Sequence, residues 1–243
     1  MADWHALLLE DLGPPTAPPW RTADLRAASH GLADFHRHSL GLELPQLLPR
    51  DKHGHFASIW AGLSADGSLA RLPSLAGEAS GEVERWLSES VPALRRAAEY
   101  LVEAPPPQTL LHFDVRSDNL RIVEGQLRLF DWNWASVGPA ELDLAAFAQS
   151  VTVEGGGDPE RVIALYAEHL PVRDEVVTSS AASIAPYLLR GFWAPEVPGL
   201  PRLREFQRRQ AVVTLEWAAR RLSLDLPRWA RRLADSYPPA ATT

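Results

Sequence analysis

The sequence predicts an α+β domain that is mainly helical. Three observations carry this. Apolar residues recur at helical spacing through most of the chain beyond Pro139, two short apolar runs flank Glu124-Gly125-Gln126, and a lone apolar run precedes Gly13-Pro14-Pro15. The first pattern marks amphipathic helices, the second a β-hairpin and the third a single buried strand.

Length and composition set the bounds. The chain has 243 residues, 46% hydrophobic and 23% charged, long enough to bury a core and too apolar for wholesale disorder. A net charge of −7 with no basic run argues against nucleic acid or an anionic membrane as partner. No cysteine is present, which excludes disulfides, thiolate nucleophiles and thiolate-ligated zinc. The N-terminus lacks the layout of a secretory signal, and no apolar run reaches the ~18 residues of a membrane span, so a cytoplasmic location is expected. Lys52 is the sole lysine among 24 basic residues, an arginine bias of the kind GC-rich bacterial coding produces.

Residues 4–12 read as one strand, whose neighbours must lie far away in sequence or outside this chain, because one strand cannot form a sheet. Residues 13–20 form a Pro-rich linker. From Thr22, read as an N-cap, Leu25, Ala28, Leu32 and Phe35 recur at helical spacing to about His38. Residues 40–80, rich in Gly, Pro and Ser, read as irregular. A helical stretch over about 81–102 is expected to be divided by Pro92. Thr109 to Leu111 is a short strand, and Leu120 to Val123 with Leu127 to Phe130 form the hairpin. Helices then follow over about 141–152, 158–170, 173–190, 202–222 and 226–236, separated by glycine and proline.

The chemistry concentrates in His112-Phe113-Asp114-Val115-Arg116-Ser117-Asp118-Asn119, the hairpin, and Asp131-Trp132. Asn119 and Asp131 lie equally far from Gly125, so strand pairing brings both to the open end of the hairpin, with Asp114 on the loop just before it. Such a cluster suits Mg²⁺, which takes few protein oxygens and keeps room for water and phosphate. Asp114 remains free to accept a proton from a hydroxyl. His112 reads as a hydrogen-bonded structural histidine and Asp118 as a solvated turn residue. His36, His38, His53 and His55 match no metal-ligand spacing, and Glu78, Glu82, Glu84, Glu89 and Glu141 read mostly as solvated helix faces. Trp132 and Trp134 are the tryptophans expected near the site.

Asp114 followed at five residues by Asn119, with Asp131-Trp132 beyond a hairpin, resembles the catalytic loop and metal-binding segment of the aminoglycoside phosphotransferase and choline kinase branch of the protein-kinase-like fold. Gly138 to Ala145 resembles that family's Gly-x(4)-Asp-Leu-Ala segment. Leu7 to Leu12 resembles its last N-lobe strand and hinge, and Leu32-Ala33-Asp34-Phe35-His36 its Leu-His-ended helix. The motifs fall in the family's order from residue 5 to about 150.

The resemblance implies a protein-kinase-like C-lobe over 21–243, with a catalytic loop at 112–119, a metal-binding segment at 131–134 and substrate-side helices at its end. Residues 1–20 would be a remnant hinge strand, hinge and linker. It implies transfer of the γ-phosphate of ATP or GTP to a small-molecule hydroxyl. In that scheme Asp114 is the catalytic base, and Arg116 stabilises charge on the phosphoryl group. Asn119 and Asp131 hold Mg²⁺, the backbone of Glu10, Asp11 and Leu12 meets adenine, and Asp143 is structural. The family's phosphate-covering loop and strand lysine would precede residue 1, and Lys52 lies beyond the hinge. Transfer by residues 1–243 alone is therefore expected to be impaired. Two alternatives stand beside this: a non-catalytic kinase-like C-lobe that binds a ligand or partner, and, less well supported by the ligands around His112, a metal-dependent phosphoesterase.

Overall fold

A computed structural model of the chain describes residues 10–103, 107–200 and 202–237. Its helices are α1 (Thr22–Ser39), α2 (Lys52–Ala65), α3 (Arg71–Leu75), α4 (Ser80–Glu103), α5 (Ala140–Val153), α6 (Pro159–Ala167), α7 (Asp174–Leu189), α8 (Leu203–Arg221) and α9 (Arg228–Asp235). Between α4 and α5 lie β1 (Thr109–Leu111), β2 (Leu120–Val123), β3 (Gln126–Leu129) and β4 (Ser136–Gly138). The strand expected at 4–12 falls almost wholly outside the described residues; Glu10 to Leu12 are described and are not strand. No helix among the described residues is long and apolar enough to cross a membrane.

The core is built around α5, α7 and α8, which pack on one another, with α2 and α4 against α7 and with α6 and α1 beyond α5. Helices α5 and α7 are buried nearly all round, so they sit inside the bundle rather than on it. Helix α1 buries Leu25, Ala28 and Leu32, as their spacing requires.

The expectations for α2 and α4 are corrected. Residues 52–65 are helical, although Gly54 and Gly62 each cost about 1 kcal/mol relative to alanine. Burial of Trp60 and Leu63, worth about 1.5–3 kcal/mol for a side chain of that kind, outweighs the glycines. The Trp60 indole also donates to the Ala182 carbonyl at 2.8 Å, tying α2 to α7. Nor does Pro92 divide α4. Pro92 and Ser88 both face solvent, so the carbonyl left without a backbone donor is on the side open to water. The buried face of Val83, Trp86, Val91, Leu94 and Ala98 runs on past it.

The hairpin is antiparallel with Leu120 opposite Leu129 and Val123 opposite Gln126. Its loop is the pair Glu124-Gly125, both at positive φ (51° and 76°), the geometry that matches strand twist in a two-residue turn. The second strand therefore starts one residue earlier than the sequence suggests. Asn119 then faces Phe130, whose amide donates to the Asn119 carbonyl (3.1 Å), and Asp131 lies one residue further on. The hairpin rests on α1 at Gly31, where a Cβ would lie 2.5 Å from Leu127 Cβ. Strand β4, which local sequence does not announce, pairs antiparallel with β1, Thr109 opposite Gly138. The linker is bound to the lobe: Thr16 Oγ1 accepts from the Ile122 amide (2.9 Å), and Trp20 packs edge-on to Phe147.

Candidate active site

The loop at 112–119 is fixed from below by one carboxylate. Asp143, in the first turn of α5 and 1% exposed, accepts the His112 amide at 2.7 Å and the Phe113 amide at 2.8 Å. Phe113 sits at φ 68°, in the left-handed region, which turns the chain so that two successive amides meet the same carboxylate. His36 lies 3.3 Å from Asp143 Oδ2 through Nε2, and the Tyr166 hydroxyl lies 2.8 Å from its Nδ1. Asp143 only accepts here, so the His36 proton sits on Nε2 and Nδ1 accepts from Tyr166. Burial, with Glu141 and Asp143 nearby, pushes the Tyr166 hydroxyl far above the usual tyrosine range and keeps it a donor. The structural roles read for Asp143 and for a core His36 match this geometry.

His112 joins the loop to the far strand of the hairpin. Its Nε2 donates to the Phe130 carbonyl (2.9 Å), its Nδ1 accepts from the Asp114 amide (3.3 Å), and Trp132 packs on its ring at 4.6 Å between centroids. Both nitrogens are engaged with backbone, in accord with a structural role.

Asp114 and Asn119 are brought together directly. Asn119 Nδ2 donates to Asp114 Oδ2 (2.8 Å) and to the Asp114 carbonyl (2.9 Å). Arg116 Nε stands 3.4 Å from Asp114 Oδ1 as an ion pair without a hydrogen bond, and its Nη1 is 3.7 Å from Asp118. Burial raises the Asp114 carboxyl above the ordinary carboxylate range, and the Asp131 charge adds to this. Arg116, the Asn119 amide and His112 oppose it. Asp131 is exposed at φ 64°, and one of its oxygens accepts from Asn133 Nδ2. Glu10, Asp11 and Leu12 form no regular element; Asp11 closes a turn on the Gly13 amide (2.9 Å), and Gly13 reaches the hairpin at Arg121.

Three supports were invisible to local sequence reading. Glu154, at the end of α5, accepts from Ser117 Oγ (2.6 Å) and Trp20 Nε1 (2.8 Å), clamping the turn that carries Asn119. Its own carboxyl is raised by burial. Lys52 donates to the Trp134 carbonyl (2.7 Å) and lies 5.0 Å from the Trp134 ring centre and 5.7 Å from that of Phe113. It thus pins the 131–134 segment to the loop, and burial lowers its ammonium below the usual lysine range. Asn133 is the third, through its bond to Asp131. These partners lie too far apart along the chain, or are too ordinary in type, to give a motif.

The donor set fits a small hard cation. The two Asn119 amide protons both point at Asp114, which leaves Oδ1 turned the other way, and Asp131 adds a carboxylate from across the hairpin end. Among the described residues no cluster of three or more His, Cys, Asp or Glu forms a metal cage, so a cation held here needs oxygens from phosphate and water as well. Beside Asp114 opens a cleft of about 280 Å³, bounded by the 112–119 loop, α2, α5, α7 and α8. Glu141, read among glutamates that mostly form solvated helix faces, is instead buried and paired with Arg173 at 2.6 Å.

A model of the family described as "Phosphotransferase enzyme family" matches residues 2–176. Comparison with curated protein sequences gives no match. Among solved structures, spectinomycin phosphotransferase, APH(9)-Ia, in complex with ADP and spectinomycin is similar with a TM-score of 0.51 and 15% identity. The match covers 88% of this chain and 65% of that one, so the chain spans less than two thirds of its length. The AMP-bound complex of the same enzyme gives 0.50 at 12% identity, covering 91% and 68%. Amicoumacin kinase hAmiN in complex with AMP-PNP, Ca²⁺ and Ami gives 0.49 at 10% identity, covering 94% and 64%. At these identities the likeness to spectinomycin phosphotransferase shows the fold alone, kinase-like and mainly helical as expected.

Proposed function

The chain belongs to the phosphotransferase enzyme family, and on that premise we propose that it transfers the γ-phosphate of ATP or GTP to a hydroxyl of a small molecule bound beside Asp114. The observation that carries this reading is the direct bond between Asp114 and Asn119, with Asp131 on the adjoining hairpin end. The similar spectinomycin phosphotransferase holds ADP and spectinomycin together, which supports a site for nucleotide and acceptor side by side.

Asp114 orients the acceptor hydroxyl and takes its proton as the oxygen attacks the γ-phosphorus and the nucleoside diphosphate leaves. Its carboxyl, raised by burial, is a stronger base than an ordinary carboxylate. Arg116, whose Nε has no hydrogen-bond acceptor, is available to the phosphoryl oxygens as charge builds there. Asn119 Oδ1 and the Asp131 carboxylate would hold Mg²⁺, which when bound neutralises phosphate charge. The backbone of Glu10 to Leu12 would face the adenine or guanine ring.

The test is transfer of γ-phosphate in the full-length protein to a panel of amino-sugar, choline and sugar acceptors, followed by ³¹P NMR. Formation of a phosphate monoester that disappears in Asp114→Asn is expected. Turnover unchanged in Asp114→Asn would refute the assignment.

A further inference from the structure

The cleft beside Asp114 carries a chemistry that selects among acceptors. Its walls are aromatic: Phe56, Phe113, Trp134, Tyr187 and Phe206 all line it. Phe56 packs edge-on to Phe113 at 5.1 Å and against Tyr187 at 5.3 Å, giving a continuous apolar surface. Only Asp114 and Asp143 bring carboxylates to the cleft among the described residues, and neither is spare for an amine, Asp143 being enclosed by its own donors and Asp114 being the group proposed to take the acceptor hydroxyl's proton beside the Arg116 charge. Asp143 is taken by two backbone amides and His36, while Asp114 is shared between Asn119 and Arg116. Arg116 itself lines the cleft and repels cations.

The unsatisfied polar groups are neutral. Gln149 is 4% exposed and Ser150 is 1% exposed, and both line the cleft from α5. The Gln149 amide nitrogen is used on the Ala146 carbonyl (2.9 Å), which fixes Oε1 as the free atom. Gln149 Oε1 and Ser150 Oγ are buried without any hydrogen-bond partner. Buried orphan oxygens cost free energy unless a ligand or water satisfies them, and two adjacent ones in a cleft wall mark a polar contact point. Gln210, also buried, lines the cleft from α8.

We propose, building on the phosphotransferase reading above, that the acceptor is an uncharged, compact alcohol carrying an apolar ring, seated on the Phe56–Phe113–Tyr187 surface with a second hydroxyl that donates to Gln149 Oε1 and accepts from Ser150 Oγ. Polycationic acceptors find no carboxylate to pair with and are selected against. The cleft volume of about 280 Å³ restricts the class further, since it lies at the small end of ligand sites.

The test uses two probes on the full-length protein without nucleotide: phenyl β-D-glucopyranoside, uncharged with a ring and hydroxyls, and 2-deoxystreptamine, a cyclitol with two amines. Binding is read by saturation-transfer NMR and calorimetry. The glucoside is expected to bind and 2-deoxystreptamine not to displace it. Gln149→Leu and Ser150→Ala should each weaken the glucoside by about tenfold, the effect of one lost hydrogen bond, with melting temperature unchanged or raised because an unsatisfied oxygen is gone. Ser150→Ala, a small truncation, carries the test if Gln149→Leu does not fold. Phosphate transfer is scored separately in the same samples. Glucoside binding without transfer to any acceptor would refute the phosphotransferase reading while leaving the cleft's ligand class in place. Tighter binding of 2-deoxystreptamine, binding of neither probe, or glucoside affinity unmoved in both variants would overturn the acceptor class.

Discussion

Asn119 holds Asp114 at two points, its amide nitrogen donating to both the carboxylate (2.8 Å) and the main-chain carbonyl (2.9 Å). One amide nitrogen thus fixes the rotamer of the proposed base and leaves its own oxygen unused by Asp114. Replacing it by a carboxylate would put two like charges in contact. Asn119→Asp should raise the Asp114 pKa further and move the acid limb of kcat/KM to higher pH, measured as a pH–rate profile on whichever acceptor is turned over.

Arg116 acts on the same proton with the opposite sign. Burial raises Asp114 and the Arg116 charge holds it down. Asp114 must be ionised to accept the hydroxyl proton, so activity falls as pH drops through its raised pKa, above the ordinary value of about 4. Arg116→Gln removes the restraint, and its acid limb should lie at higher pH than that of the wild type. An unchanged limb would mean that another group titrates.

The same pKa bears on stability. A carboxyl whose folded pKa exceeds its unfolded value is favourable to folding below the unfolded pKa, and that contribution is lost as pH rises through the folded pKa. At neutral pH Asp114 is therefore a desolvated charge that weakens the fold. Asp114→Asn should raise the urea midpoint at pH 7 and lose that advantage at acid pH, where the native carboxyl is protonated.

Asp143 is the opposite case. Asp143→Ala leaves two backbone amides and the His36 ring without an acceptor in a site closed to water. A loss of about 3 kcal/mol is expected from urea denaturation. Asp143→Asn keeps one acceptor oxygen and should lose less.

The hairpin's seat on α1 gives a prediction at a distance from the chemistry. A Cβ at Gly31 would lie 2.5 Å from Leu127 Cβ, so Gly31→Ala must push β3 outward and move Asp131 away from Asn119. Weaker binding of divalent metal with nucleotide is expected, with a stability loss of about 1–3 kcal/mol. Leu127→Gly in the same chain removes the clashing atom and should restore the metal affinity.

Sequence carried much of this architecture because much of it is local. The loop 112–119, the Glu124-Gly125 turn and the helices after Pro139 are each written in short-range pattern. Where tertiary contact decided, pattern failed. Helix α2 forms against its glycines because Trp60 finds the Ala182 carbonyl in α7. Strand β4 exists only through pairing with β1, and α4 survives Pro92 because that residue faces water. At the candidate site, the meeting of Asp114 with Asn119 and the position of Asp131 just past the hairpin are legible from spacing. Their supports, Glu154 on Ser117 and Lys52 on the Trp134 carbonyl, join residues distant in sequence. The equal spacing about Gly125 also misplaced the register by one residue, since the turn centres between Glu124 and Gly125.

The proposed site divides the labour, Asp114 handling the acceptor proton while Asn119 and Asp131 hold the metal. Binding of Mn²⁺, standing in for Mg²⁺, with ATP to the full-length protein separates the two roles, read by electron paramagnetic resonance of the free ion. Asp114→Asn should bind Mn²⁺ and ATP within about twofold of the wild type while losing turnover, and Asp131→Asn should weaken binding by about tenfold or more. Binding that is unimpaired in Asp131→Asn, or lost in Asp114→Asn, would contradict the assignment.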